Sequence, residues 1–154
     1  MIYAVVRVRG IINVKPDIKK TLQLLNLTRV NHCVLIEESK VSKGILQIAK
    51  DYVTWGEVKK ETVTNLLKQR GKLIGDKPLT DDHVKSATSY KTIDDLSDAL
   101  MNKKIKINEI PEMKKVFRLH PPKKGLEGIK RSFVNKGALG YRGKHIENLL
   151  ERMI

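Results

Sequence analysis

The 154-residue sequence is poor in the residues that make cross-links, metal centres and aromatic stacks: it has one cysteine, four histidines, one tryptophan and two phenylalanines. Cys33 alone forms no internal disulfide, and scattered histidines offer no ligand set at metal-binding spacing. No apolar run approaches the roughly 20 residues that span a bilayer. Met1 to Gly10 is a short apolar stretch broken by Arg7 and Arg9, without the h-region or small-residue cleavage site of a secretory leader. A cytoplasmic protein with no cofactor and no metal is expected. Catalytic constellations are missing too. Asp81-Asp82 and Asp94-Asp95 are adjacent pairs that point to different sides of a helix, and Gly137-Ala138-Leu139-Gly140 lacks the lysine and serine of a phosphate loop. With no nucleophile placed beside a base, an enzyme is not expected.

Negative charge is also scarce. Against 31 Lys and Arg stand 17 Asp and Glu, a formal net charge of +14. Such an excess repels itself unless a polyanion is near, and phosphate backbones supply one through counterion release. No amphipathic or lipidated element favours a bilayer instead. The charge is uneven: 9 basic and 4 acidic side chains in residues 1–56, 11 and 9 in 57–110, and 11 and 4 in 111–154. Between Lys114 and His145 ten Lys or Arg face one carboxylate, Glu127. Phe117, Leu119, Leu126, Ile129, Phe133, Val134, Leu139 and Tyr141 interleave with those cations, unlike the monotonous composition of a solvated tail. An ordered RNA contact is the better reading, and it should order fully only on RNA.

The pattern predicts an α+β chain in three stretches. Residues 1–56 read as β-α-β-α-β. Ile2, Ala4, Val6 and Val8 alternate with Tyr3, Val5, Arg7 and Arg9, predicting one core face and one wet face. Pro16 opens a helix through Ile18, Leu22 and Leu25 that ends near Asn26. His32 to Ile36 forms a strand, a helix follows from Ser42 with Ile45, Ile48, Ala49 and Tyr52 on one stripe, and Tyr52 to Trp55 closes the unit. Residues 57–110 read as a helical insert. Val63, Leu66 and Leu67 share a stripe, Gly71 stands where a helix end favours positive φ, and Thr80 and Thr92 are N-caps followed by paired aspartates. Trp55 is expected to bury against this insert. Residues 111–154 read as a basic extension, ordered loop more than regular element, that regains helical spacing from Lys144.

The run FRLHPPKKGLEGIKRSFVNKGALGYRG, Phe117 to Gly143, resembles the archaeal branch of a large-subunit ribosomal protein family, called L-thirty in bacteria and L-seven in eukaryotes. RVRG (Arg7 to Gly10), LTRVNHCVLI (Leu27 to Ile36), KGIL (Lys43 to Leu46) and YVTWGEV (Tyr52 to Val58) join it in the family's order, so the resemblance covers nearly the whole chain. It implies a small ferredoxin-like unit with an antiparallel three-stranded sheet, carrying an extension that bacterial members lack. It implies a structural constituent of the large (50S) subunit that holds 23S-type rRNA beside neighbouring large-subunit proteins, with 5S rRNA a further candidate contact. No obligate homo-oligomer is expected. The first strand begins at Ile2, whereas eukaryotic members carry a long basic arm before it, which points to an archaeal source.

Residue roles follow from position and chemistry. Arg29 is assigned to a phosphate and Asn31 to a base edge or ribose, with a plain turn the alternative for Asn31; His32 lies beside them. Arg7 and Arg9 leave the same strand end and continue the patch or coat a solvated sheet face. Lys40 and Lys43 flank a helix start suited to phosphate, with ordinary surface lysines the alternative. Arg118, His120, Lys123, Lys124, Lys130, Arg131, Lys136, Arg142 and Lys144 are the main expected contacts, and the P-P-K-K-G turn should aim Lys123 and Lys124. Tyr141 either stacks on an unpaired base or packs. Two other functions compete: an RNA-binding accessory outside the ribosome, and an architectural DNA-binding protein, which would need a basic recognition helix or minor-groove arm not evident here.

Overall fold

In the computed structural model, which describes residues 1–154, the first strand β1 (Ile2–Arg7) is buried along its whole length. Neither of its faces is wet. Ile2, Ala4 and Val6 pack into one apolar core and Tyr3 and Val5 into a second, so the alternation sorts side chains between two layers. Strands β2 (His32–Glu37) and β3 (Val53–Glu57) flank β1 antiparallel, with Val5 opposite Val34 on one side and Trp55 on the other. Helices α1 (Pro16–Leu24) and α2 (Lys40–Ala49) cover one face. Pro16 sits in the first turn of α1, where its missing N–H costs nothing, and Asn26 takes φ 58 just past the end. Helix α2 buries Leu46 and Ala49 and leaves Ile48 exposed, a different stripe from the one expected.

The sheet does not stop at three strands. Strand β4 (Phe117–Arg118) lies antiparallel against β2, β6 (Gly137–Tyr141) runs parallel to β3, and β5 (Gly128–Ser132) pairs irregularly with β6. The result is a six-stranded mixed sheet in the order β4-β2-β1-β3-β6-β5. The expectation of a three-stranded antiparallel sheet with a loop-rich appendage is corrected accordingly. A bare three-stranded unit would leave two long edges unpaired, and the extension covers part of one and part of the other.

The opposite face carries α3 (Lys60–Arg70), α4 (Asp81–Ala87), α5 (Ile93–Met101) and α6 (Ile146–Met153). Thr80 and Thr92 cap α4 and α5, accepting from the His83 and Asp95 N–H groups at 3.4 and 3.1 Å. The core on this side joins Ile2 and Ala4 to Leu66, Leu96, Phe117, Ile146 and Leu150, so all three stretches of the sequence share it. Trp55 is on the other face, with Tyr3, Leu22 and Leu46, because position 55 opposes Val5 in the ladder and not the insert. Gly71 has φ −61, so its role is not left-handed backbone. A Cβ there would run into the Leu67 carbonyl and the Leu79 side chain, and glycine permits that close approach.

Candidate nucleic-acid interface

Strand direction divides the expected contact residues between two ends of the sheet. At one end β1 finishes, β2 and β3 begin, β4 finishes and β6 begins. Arg9, Arg29, Asn31, His32, Arg118, His120 and Lys136 therefore gather there. Arg29, Arg118, His120 and Lys136 are exposed, while Arg9, Asn31 and His32 are half-buried. Asn31 takes φ 65 and makes the turn into β2, its N–H donating to the Arg7 carbonyl at 2.8 Å. Arg9 spans to the Asp51 carbonyl at 3.2 Å and lies over the Tyr52 ring. The Nδ1 of His32 faces the Arg29 N–H and the Thr28 hydroxyl, both at 3.4 Å. Burial first, then Arg118, Arg29 and Arg7, hold the imidazole below its ordinary pKa. A neutral ring accepting at Nδ1 keeps Nε2–H as a donor.

Two arginines of the expected set turn inward. Arg7 is 1% exposed, donating through Nε to the Arg9 carbonyl and through Nη1 to the Leu27 carbonyl at 2.9 and 2.7 Å. Arg142 is 4% exposed, donating to Thr54 Oγ1 and the Ala138 carbonyl at 2.9 and 3.0 Å, with Glu127 3.7 Å away. Burial lowers the pKa of both guanidinium groups. Arg7 ties the end of β1 to the loops at Arg9 and Leu27, and Arg142 ties the end of β6 to β3.

The opposite end holds Lys40, Lys43, Tyr141 and Lys144. There carboxylates answer some of the cations: Lys43 pairs with Glu38 at 2.7 Å and Lys59 with Glu147 at 3.4 Å, the Tyr141 hydroxyl donates to Glu57 at 3.2 Å, and Lys40 and Lys144 carry no ion pair. Tyr3 donates to Glu38 at 2.9 Å, and burial together with that carboxylate pushes its phenol up to about 12. The start of α2 is capped from within, since Ser39 Oγ accepts from the Ser42 N–H. Tyr141 packs edge-on against Tyr3 and beside Trp55.

The extension supplies two further basic features. Its P-P-K-K-G turn, with Lys124 at φ 66 and Gly125 at φ 74, is fixed by α6: the Lys123 N–H donates to the Arg152 carbonyl at 2.9 Å, and the Arg152 guanidinium reaches the Gly125 carbonyl and Glu127. Lys123 and Lys124 are exposed on it. The arm formed by β5 and the turn to β6 is exposed throughout its strand and carries Lys130 and Arg131, with Val134 bare at 86%. Sequence reasoning missed Arg152, Asp76 and the part played by Glu127. Asp76, in the insert, accepts from Lys114 at 2.6 Å and Arg118 at 3.2 Å and so steadies the cations around β4. The lone carboxylate of the basic run was a signal that Glu127 serves a particular partner.

Fold and charge define a class: a basic α+β protein whose mixed sheet carries unneutralised cations at one end and on a projecting arm. Residues 3–53 match the family model described as Ribosomal protein L30p/L7e. Proteins named "Large ribosomal subunit protein uL30" are similar over nearly the whole chain. That of Methanocorpusculum labreanum is 47% identical over 151 residues, covering 98% of this chain and 99% of the relative. Those of Thermoplasma volcanium and Methanopyrus kandleri are 49% and 48% identical, covering 98% and 95% of this chain and 92% and 99% of the relatives. The chain belongs to the ribosomal protein L30p/L7e family, in its archaeal branch.

Proposed function

We propose that the protein is a non-catalytic structural constituent of the large ribosomal subunit, working in the cytoplasm, where its cationic sheet end holds folded 23S-type rRNA. The observation that carries this reading is the difference between the two ends. Arg9, Arg29 and Lys136 stand at one end without carboxylate partners while Arg118 there is paired with Asp76, whereas at the other end Lys43 and Lys59 are paired and Lys40 and Lys144 are not. Unneutralised cations at fixed spacing suit a phosphate backbone, with Arg29 on a phosphate, Arg118 reaching a second from its pairing with Asp76, and His32 donating from Nε2 to a ribose or base edge. The Lys123-Lys124 turn and the arm with Lys130 and Arg131 extend the contact to a second rRNA element, 5S rRNA being the one the family resemblance implies. Lys40 and Lys144 are at most peripheral contacts. Neighbouring large-subunit proteins complete the set of partners.

The experiment is a salt wash of ribosomes from the source organism, followed by subunit separation and mass-spectrometric quantification against known large-subunit proteins. Near-unit stoichiometry on the large subunit after a high-salt wash is expected. Release at moderate salt, or a clearly substoichiometric signal, would overturn the assignment in favour of a transient RNA-binding accessory.

A further inference from the structure

Strand β2 pairs with β1 along its length, but its other edge is covered for two residues only. Strand β4 sets Arg118 against His32 and Phe117 against Cys33, and upstream of Phe117 the chain leaves the edge. The Glu38 N–H donates to the Met1 carbonyl at 3.0 Å, which fixes the ladder's alternation: Val34 and Ile36 direct their backbone groups to β1, and Leu35 and Glu37 direct theirs away. The Glu37 carbonyl accepts from Ser42 Oγ at 2.8 Å. The Leu35 N–H and C=O and the Glu37 N–H have no partner in the chain. They lie on the floor of a groove of about 340 Å³, walled by Leu24 at the end of α1 and Leu25 just after it on one side and by Ile105 and Ile107 of the insert on the other. Lys106 and Lys115 also line it, against one acidic residue, Glu37.

The geometry points to this groove as the docking slot for an extended segment of another protein, which adds to the sheet as a strand beside Leu35–Glu37 and places a carboxylate near Lys106 and Lys115. A strand satisfies the floor through its own backbone while its side chains alternate between the two apolar walls. A helix brings no free backbone groups to the floor. RNA finds hydrocarbon walls here and has no backbone amides with which to continue the ladder along the floor. A second copy of this chain brings another +14 of charge against the same lysines. The slot is separate from the cationic end, so the inference does not depend on the rRNA reading.

The test uses the free full-length chain, labelled for amide NMR and titrated with a soluble capped peptide of alternating valine and threonine ending in aspartate. The Leu35 and Glu37 amides are expected to shift and to exchange with solvent about tenfold more slowly. Leu24→Lys, at a site 69% exposed and so tolerant of change, and Ile105→Lys should abolish the response with thermal unfolding of the former unchanged. Exchanging the peptide's aspartate for lysine should weaken binding severalfold. The inference is overturned if these amides do not respond to the peptide, if the variants respond equally, if an RNA oligonucleotide gives the same protection, or if protection grows with protein concentration alone.

Discussion

Arginines that look alike in the sequence do opposite jobs. Arg7 is enclosed and its guanidinium serves two carbonyls, so Arg7→Met leaves those carbonyls unpaired and should cost about 2–4 kcal/mol in urea unfolding. Arg29 is exposed, and Arg29→Gln should change stability by no more than about 0.5 kcal/mol while weakening rRNA binding. The reverse pattern would exchange their roles. His32 adds a pH dependence. Its folded pKa lies below the free imidazole value of about 6.5, so the unfolded chain takes up the proton more readily. Its contribution to stability is therefore complete above about pH 6.5 and declines as pH falls towards the folded value. An NMR titration of the ring protons should give a midpoint below 6.5, moving upward in Arg118→Gln.

Among the elements, those with a strong period or a cap could be read directly from the sequence. Pro16 placed α1, and Thr80 and Thr92 placed α4 and α5. The strands of the extension were not legible, because two residues of β4 carry no period and the glycines of β6 read as turn. Their pairing comes from long-range partners, β2 and β3, that no local window contains. The same limit hid the burial of Arg7 and Arg142, because Leu27 and Thr54, which accept from them beside the nearby Arg9 and Ala138 carbonyls, lie far away in the sequence. The cationic end was partly legible, since Arg29, Asn31 and His32 sit in one short run, but its separation from Lys40 and Lys43 needed strand direction. Within the extension, Phe117, Ala138 and Leu139 are buried while the β5 arm is exposed. Hydrogen exchange on the free protein should find slow amides at 138–139 and fast ones at 128–132, and uniformly fast exchange would mean that the extension docks only on RNA. Gly137 lies against the Arg131 backbone, so Gly137→Ala should displace the arm and reduce rRNA affinity with little change in the melting of the core.

For the molecule as a whole, charge and core make separate predictions. If the cationic end and the Lys123-Lys124 turn bind phosphates, log K against log salt is a falling line, and each of Arg29→Gln and Lys124→Gln should make it shallower by about one unit. An unchanged slope would remove that residue from the contact. The shared core predicts that a chain cut after Glu109 does not fold cooperatively, because Phe117, Ile146, Leu149, Leu150 and Met153 are all missing from one cluster. A sharp melting transition in that fragment would show that the N-terminal unit is autonomous.

The placement of β1 at the middle of the sheet, with late residues closing on both sides of it, also sets a timetable. The central strand leaves the exit tunnel well before the pieces that cover its neighbours and complete its core. Until residues 117–153 have followed, the nascent chain therefore holds its fully buried strand without its final shelter.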